Sequence, residues 1–163
     1  MYSRLLILSA LLTVLSACNE NVPDETTNAA LSESDAAATP EVNALPRTAS
    51  ADGASVFFIT PTDGATVSNS IAIEFGVEGM DVVKAGDNQP HSGHHHLLID
   101  TGLPDLGLPI PADTQHIHFG DGSTSTEITL EPGEHTLQML LGDYLHIPHN
   151  PPLVSEPITV IVE

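Results

Sequence analysis

Residues 55–163 of this chain predict an all-β fold: an antiparallel sandwich of about seven strands, immunoglobulin-like or fibronectin-like in type. Short runs rich in Val, Ile, Phe and Thr recur at regular spacing, with Gly, Pro and Asp between them. No segment sustains a helical period, and 13 prolines make long helix interiors untenable. Ser55–Thr60 reads as the first strand and runs into the turn Pro61-Thr62-Asp63-Gly64. Ile71–Val77 alternates apolar with small or polar residues and forms the second. His94–Asp100 is the third, carried by Leu97, Leu98 and Ile99. His116–Phe119 follows, then the turn Gly120-Asp121-Gly122 and the strand Glu127–Leu130. After Pro132-Gly133, Glu134–Leu141 and Ile158–Val162 complete the set. With no tryptophan and a single cysteine, the antibody-type core of a Trp packed on a disulfide is excluded. The length suits one domain and is short for two.

Residues 1–18 have the parts of a bacterial export signal. Arg4 supplies a positive end, Leu5–Val14 an apolar core, and Leu15-Ser16-Ala17-Cys18 a small-residue exit. The apolar run is shorter than the roughly 20 residues a membrane-spanning helix needs. The ending resembles the bacterial lipobox, which implies lipidation of Cys18 and a membrane anchor. Asn19 in place of aspartate favours the outer membrane, with the domain facing the periplasm or the exterior. Residues 19–54 are small, polar and acidic, with few large apolar groups, and read as a disordered linker. A flexible chain of that length reaches about 30–35 Å.

Charge excludes several partners. Beyond Arg4, only Arg47 and Lys84 stand against 22 acids. Nucleic acid is ruled out as a ligand, because binding it requires basic side chains to displace counterions. Cations, in contrast, concentrate near such a surface. Nothing in the sequence identifies a protein partner.

The segments Pro61–Val67, Gly93–Asp100, Ile110–Gly120, Pro132–Asp143 and His146-Ile147-Pro148-His149 resemble the bacterial domain-of-unknown-function family numbered 4399. The resemblance covers 55–163. It implies an exported or lipid-anchored domain and carries no catalytic residue across.

Nine histidines, all after residue 90, are the chemistry-bearing feature. Neutral imidazole is the commonest protein ligand for transition metals. His94 and His96 share one face of their strand, and His95 shares the other with Leu97 and Ile99. If that apolar face is the core, His95 is buried while His94 and His96 point outward. His116 and His118 likewise share a face. In an immunoglobulin-like order, with His116–Phe119 as strand D, the loops at one end gather up to seven imidazoles. His135, starting its strand about 25 Å away, is excluded. The expected metal ligands are His94, His96, His146 and His149, with His118 or His116 next, and the ion zinc or copper(II). The competing reading is a structural or interaction module whose histidines bond loop backbone. An enzyme fits least: the superoxide-dismutase spacings are not matched, Glu127 and Pro132-Gly133-Glu134-His135 meet a cupin pattern only loosely, and no catalytic residue is identified.

Cys18→Ser should release the protein from membranes or leave it as an uncleaved precursor. Wild-type protein lacking acyl mass on its N-terminal peptide would refute the lipobox.

Overall fold

The computed structural model describes residues 45–163; Cys18 and residues 19–44 of the expected linker lie outside the described residues. Nine strands and no helix make up the described chain. They are β1 (Ser55–Thr60), β2 (Ala65–Val67), β3 (Ser70–Glu78), β4 (Asp81–Val82), β5 (Ser92–Ile99), β6 (His116–His118), β7 (Ser125–Thr129), β8 (Gly133–Gly142) and β9 (Ile158–Val162). The first sheet runs β1-β3-β7, and the second β2-β9-β8-β5-β4 with β6 also on β5. All pairings are antiparallel except β2 with β9 and β4 with β5.

The two sheets close on one apolar core. Ile71, Ile73 and Phe75 alternate inward from β3, against Leu97 and Ile99 of β5 and Leu137, Met139 and Leu141 of β8. Val160 and Val162 of β9 complete that layer. The period of two is plain in β3, where each buried residue is followed by an exposed or partly exposed one.

One strand departs from the expected topology. His116–His118 is not a strand D on the first sheet. It pairs with β5, placing His118 opposite His96 and His116 opposite Leu98. The physical reason lies along one edge of β5. The carbonyls of His91, Gly93 and His95 point away from β8 and accept from the amides of Asp81, Val83 and Phe119. Those acceptors need donors once buried, and β4 and β6 supply them. The resulting order is fibronectin-like.

Alternation along β5 holds, with a different consequence for exposure. His94, His96 and Leu98 do lie on the face away from the sandwich core, yet all eight residues of β5 are buried. The loops after β5 and β8 cover that outer face, where Leu98, Ile110 and Leu140 form a second small core with Val154 against it. The expected linker also ends early. Ala49 bridges Asn150, Ala51 donates to the sulfur of Met80, and Ser50 is buried. Hydrogen bonds hold this stretch, together with Ala51 and Ala54, which pack against the core.

His135 lies apart from the other rings, at the far end of β8. Its Nδ1 is 2.7 Å from the Asp100 carboxylate and its Nε2 is 2.8 Å from the Glu131 carbonyl. Hydrogen bonding to Asp100, then to Glu131, raises the imidazole pKa above 6.5. A raised folded-state pKa stabilises fully below the unfolded value, and that stability is lost as pH rises through the folded value. His135→Gln should therefore lower Tm more at about pH 5.5 than at about pH 8.5. Equal deficits in thermal unfolding at the two pH values would sink this assignment.

Candidate metal centre

Four imidazoles meet on the outer face of the second sheet. His94 and His96 come from β5, His118 from β6, and His146 from the loop after β8. Their ring centroids lie 4.6–6.0 Å apart in every pairing. Ligand atoms of His94, His96 and His118 all fall within 4.8 Å of one another. His146 Nε2 is 3.1 Å from His118 Nε2. Nitrogens bound tetrahedrally at zinc distances stand about 3.4 Å apart. The spacing of His94, His96 and His118 is compatible with a shared ion, and His146 stands beside His118.

Local sequence explains the packing. Two residues apart on a strand, His94 and His96 share a face. Register puts His118 beside His96. Gly142 stands directly opposite His94 on β8 and leaves the space the neighbouring ring occupies. A Cβ there would lie 2.8 Å from His96 Cε1 and 3.2 Å from Ile110 Cδ1. A Cβ on Gly120 would collide with the His118 ring in the same way.

His146 needs a special backbone. It sits at φ 65°, in the left-handed region that histidine visits more readily than most side chains. Asp143 holds the turn: its Oδ1 accepts from the amides of Leu145 (2.8 Å) and Ile147 (3.0 Å), and its backbone carbonyl from the His146 amide. Ile110 donates its amide to the His146 carbonyl at 2.7 Å, fastening the covering loop to the site.

Electrostatics keep the deep rings neutral. Burial, reinforced by His146 and His118, lowers His94 to about 4. Burial, then the neighbouring rings, lowers His96 to about 2. Partial burial and His146 lower His118, against an opposing pull from Asp121. Both ring nitrogens of His94 and Nδ1 of His96 are buried with no hydrogen-bond partner. A buried polar atom left unpaired costs about 1–3 kcal/mol. His94, when neutral, therefore presents one lone pair and one N–H without a partner, and only the lone pair can bind a cation. His118 is exposed and His146 half-buried, so the group is deep at one end and open at the other.

Two expected ligands are not brought to this group. His149 is buried between carbonyls, with Nε2 3.1 Å from Ser92 O and Nδ1 3.4 Å from Leu141 O. A Cβ on Gly93 would press on its ring, so it acts as a tie between β5, β8 and the loop. His116 shares a face with His118, but its Nδ1 is 2.8 Å from Asp113. That carboxylate also accepts the His116 and Gln115 amides, forming the turn into β6. His95 faces the sandwich core, edge-on to Phe75, and burial lowers it to about 4. Sequence reasoning passed over Gly142 and Asp143. A Gly-Asp pair closing a strand just before a His-containing loop was the available signal.

A family model described as "Domain of unknown function (DUF4399)" matches residues 73–163. This chain belongs to that family. The match begins within β3, so β1 and β2 fall outside it, short of the 55–163 that the resemblance suggested. No curated protein and no solved structure matches.

Gly142→Ala should destabilise the domain by about 1–3 kcal/mol, the range for overpacking a filled interior. An unchanged urea midpoint would show that the His96 ring has room to move.

Proposed function

We propose that this domain binds a divalent transition metal, zinc or copper(II), through His94, His96, His118 and His146. The observation that carries the reading is the convergence of His94, His96 and His118, whose ligand atoms lie within 4.8 Å of one another, with His146 Nε2 3.1 Å from His118 Nε2. Neutral imidazoles suit zinc or copper(II), and the chain has no thiolate to compete once Cys18 is lipidated. The surplus of acids draws cations toward the surface. Exposure of His118 gives an ion a way in, while the buried rings would hold it. We place this chemistry in the bacterial envelope, on a domain tethered to the outer membrane through acyl chains on Cys18. Several buried acyl chains make such an anchor effectively permanent.

The rival reading is a metal-free structural or interaction module. It draws on His116, His135 and His149, whose rings are engaged by carboxylate or carbonyl oxygens. It leaves His94 and His96 unexplained.

Protein purified without a tag or nickel resin should bind one zinc or copper(II) ion per chain. Replacing His118 and His146 together should abolish stoichiometric binding, whereas His116→Ala should not. Calorimetric titration decides between the readings. No binding of either ion by wild type below about 10 µM would give the case to the metal-free module.

A further inference from the structure

The loop that presents His146 is held from outside by a segment nearly a hundred residues earlier in the chain. Arg47 Nε donates to the carbonyl of Pro148 at 2.9 Å, and Arg47 Nη2 donates to that of His149. Thr48 Oγ1 donates to Asp143 Oδ2 at 3.1 Å. The Asn150 amide donates to the Thr48 carbonyl at 2.8 Å, and Ala49 bridges Asn150 as a parallel partner. The side-chain contacts of Arg47 and Thr48 span 95–102 residues of sequence. Arg47 is one of only two cationic lysine or arginine side chains after Arg4, and its guanidinium forks across two adjacent carbonyls. Lysine, a point charge, cannot reproduce that fork.

The bonds converge on the groups that fix His146. Asp143 orients the turn through Oδ1 and meets Thr48 through Oδ2. Its carboxylate also acts electrostatically on His94. The backbone of Pro148 and His149, gripped by Arg47, begins two residues after His146. His146 itself is in a left-handed conformation that its surroundings must hold. β8 holds the same loop at Gly142, which bridges Pro148, and at Leu141, whose carbonyl lies 3.4 Å from His149 Nδ1; the strap adds the contacts to Asp143, Pro148, His149 and Asn150.

We infer that Arg47, Thr48 and Ala49 form a strap that positions His146 and Asp143, so that docking of the strap and loading of the metal are one coupled equilibrium. This rests on the proposed metal site. Arg47 and Thr48 are positioning residues: they touch the loop and not the ion. Coupling is reciprocal, so whatever factor the docked strap adds to metal affinity, the metal adds to strap docking. The strap is also where the chain enters the domain from the acidic linker. An event that pulls or cuts the chain there would loosen the metal, and the bound metal would resist it.

The test uses the full-length chain. Zinc affinity is measured by competition with a chromophoric chelator for wild type, Arg47→Ala/Thr48→Val and, as a control for general destabilisation, His135→Ala. Hydrogen exchange at the Asn150 amide is followed in wild type with and without zinc. The strap variant should bind zinc about tenfold more weakly, within the usual range of couplings, while His135→Ala binds as wild type does. Zinc should slow Asn150 exchange by a similar factor, a readout that needs no variant and survives if the double variant fails to fold. Wild-type zinc binding with unchanged Asn150 exchange would overturn the strap and leave the metal site standing. Failure of wild type to bind zinc or copper(II) at all would overturn the metal site, and the strap with it.

Discussion

Burial of β5 on both faces is the constraint from which the rest follows. A strand in a sandwich ordinarily gives one face to the core and one to water. Here Leu97 and Ile99 enter the core, while His94 and His96 lie under covering loops at 0% and 1% exposure. The backbone of β5 is satisfied by β8 on one side and by β4 and β6 on the other. Its imidazoles are not satisfied in that way. His94 and His96 have other imidazoles as neighbours, which cannot all be donors and acceptors for one another, while His95, equally without a partner, lies against Phe75.

That frustration is resolved in two different manners around the same sheet. His116, His135 and His149 each have an oxygen within reach, and each ties a turn or loop to a strand. His94, His96, His118 and His146 have only the 3.1 Å contact between His118 and His146 recorded among their side chains. In that pair one nitrogen must donate and the other accept, so a single proton decides its polarity. The low pKa values of His94 and His96 mean that protonation does not relieve the problem near neutral pH. In the proposed site a cation uses these converging lone pairs at once.

Much of the fold was legible because β periodicity is local. β1 and β9 fall at the residues where alternation and turns put them, and β3, β7 and β8 within one or two residues. The separation of His95 from His94 and His96 was legible for the same reason. The burial of His94 and His96 was not, since the loops that cover them carry no periodic signal. Neither was the choice between His116 and His118, two residues apart on one face. That depends on the register of β6 against β5 and on Asp113, which the turn preceding β6 delivers to His116. His146 and His149 differ likewise by what Asp143 does to the intervening backbone. Local patterns set faces; long-range pairing set neighbours.

The proposed ligand set also bears on how a domain without a disulfide holds its loops. Cys18 is the only cysteine, so no covalent cross-link is available within the described domain. β5, β6 and the loop after β8 are nonetheless three separate pieces of chain brought to one point. An ion held by all three would act as a cross-link, stabilising the folded state in proportion to the logarithm of its concentration over its Kd. The strap adds a fourth piece, since it holds the loop that supplies His146. Binding and local order are then the same property of the chain. The sandwich core draws on the same strand, since β5 gives Leu97 and Ile99 to it and His94 and His96 to the outer face.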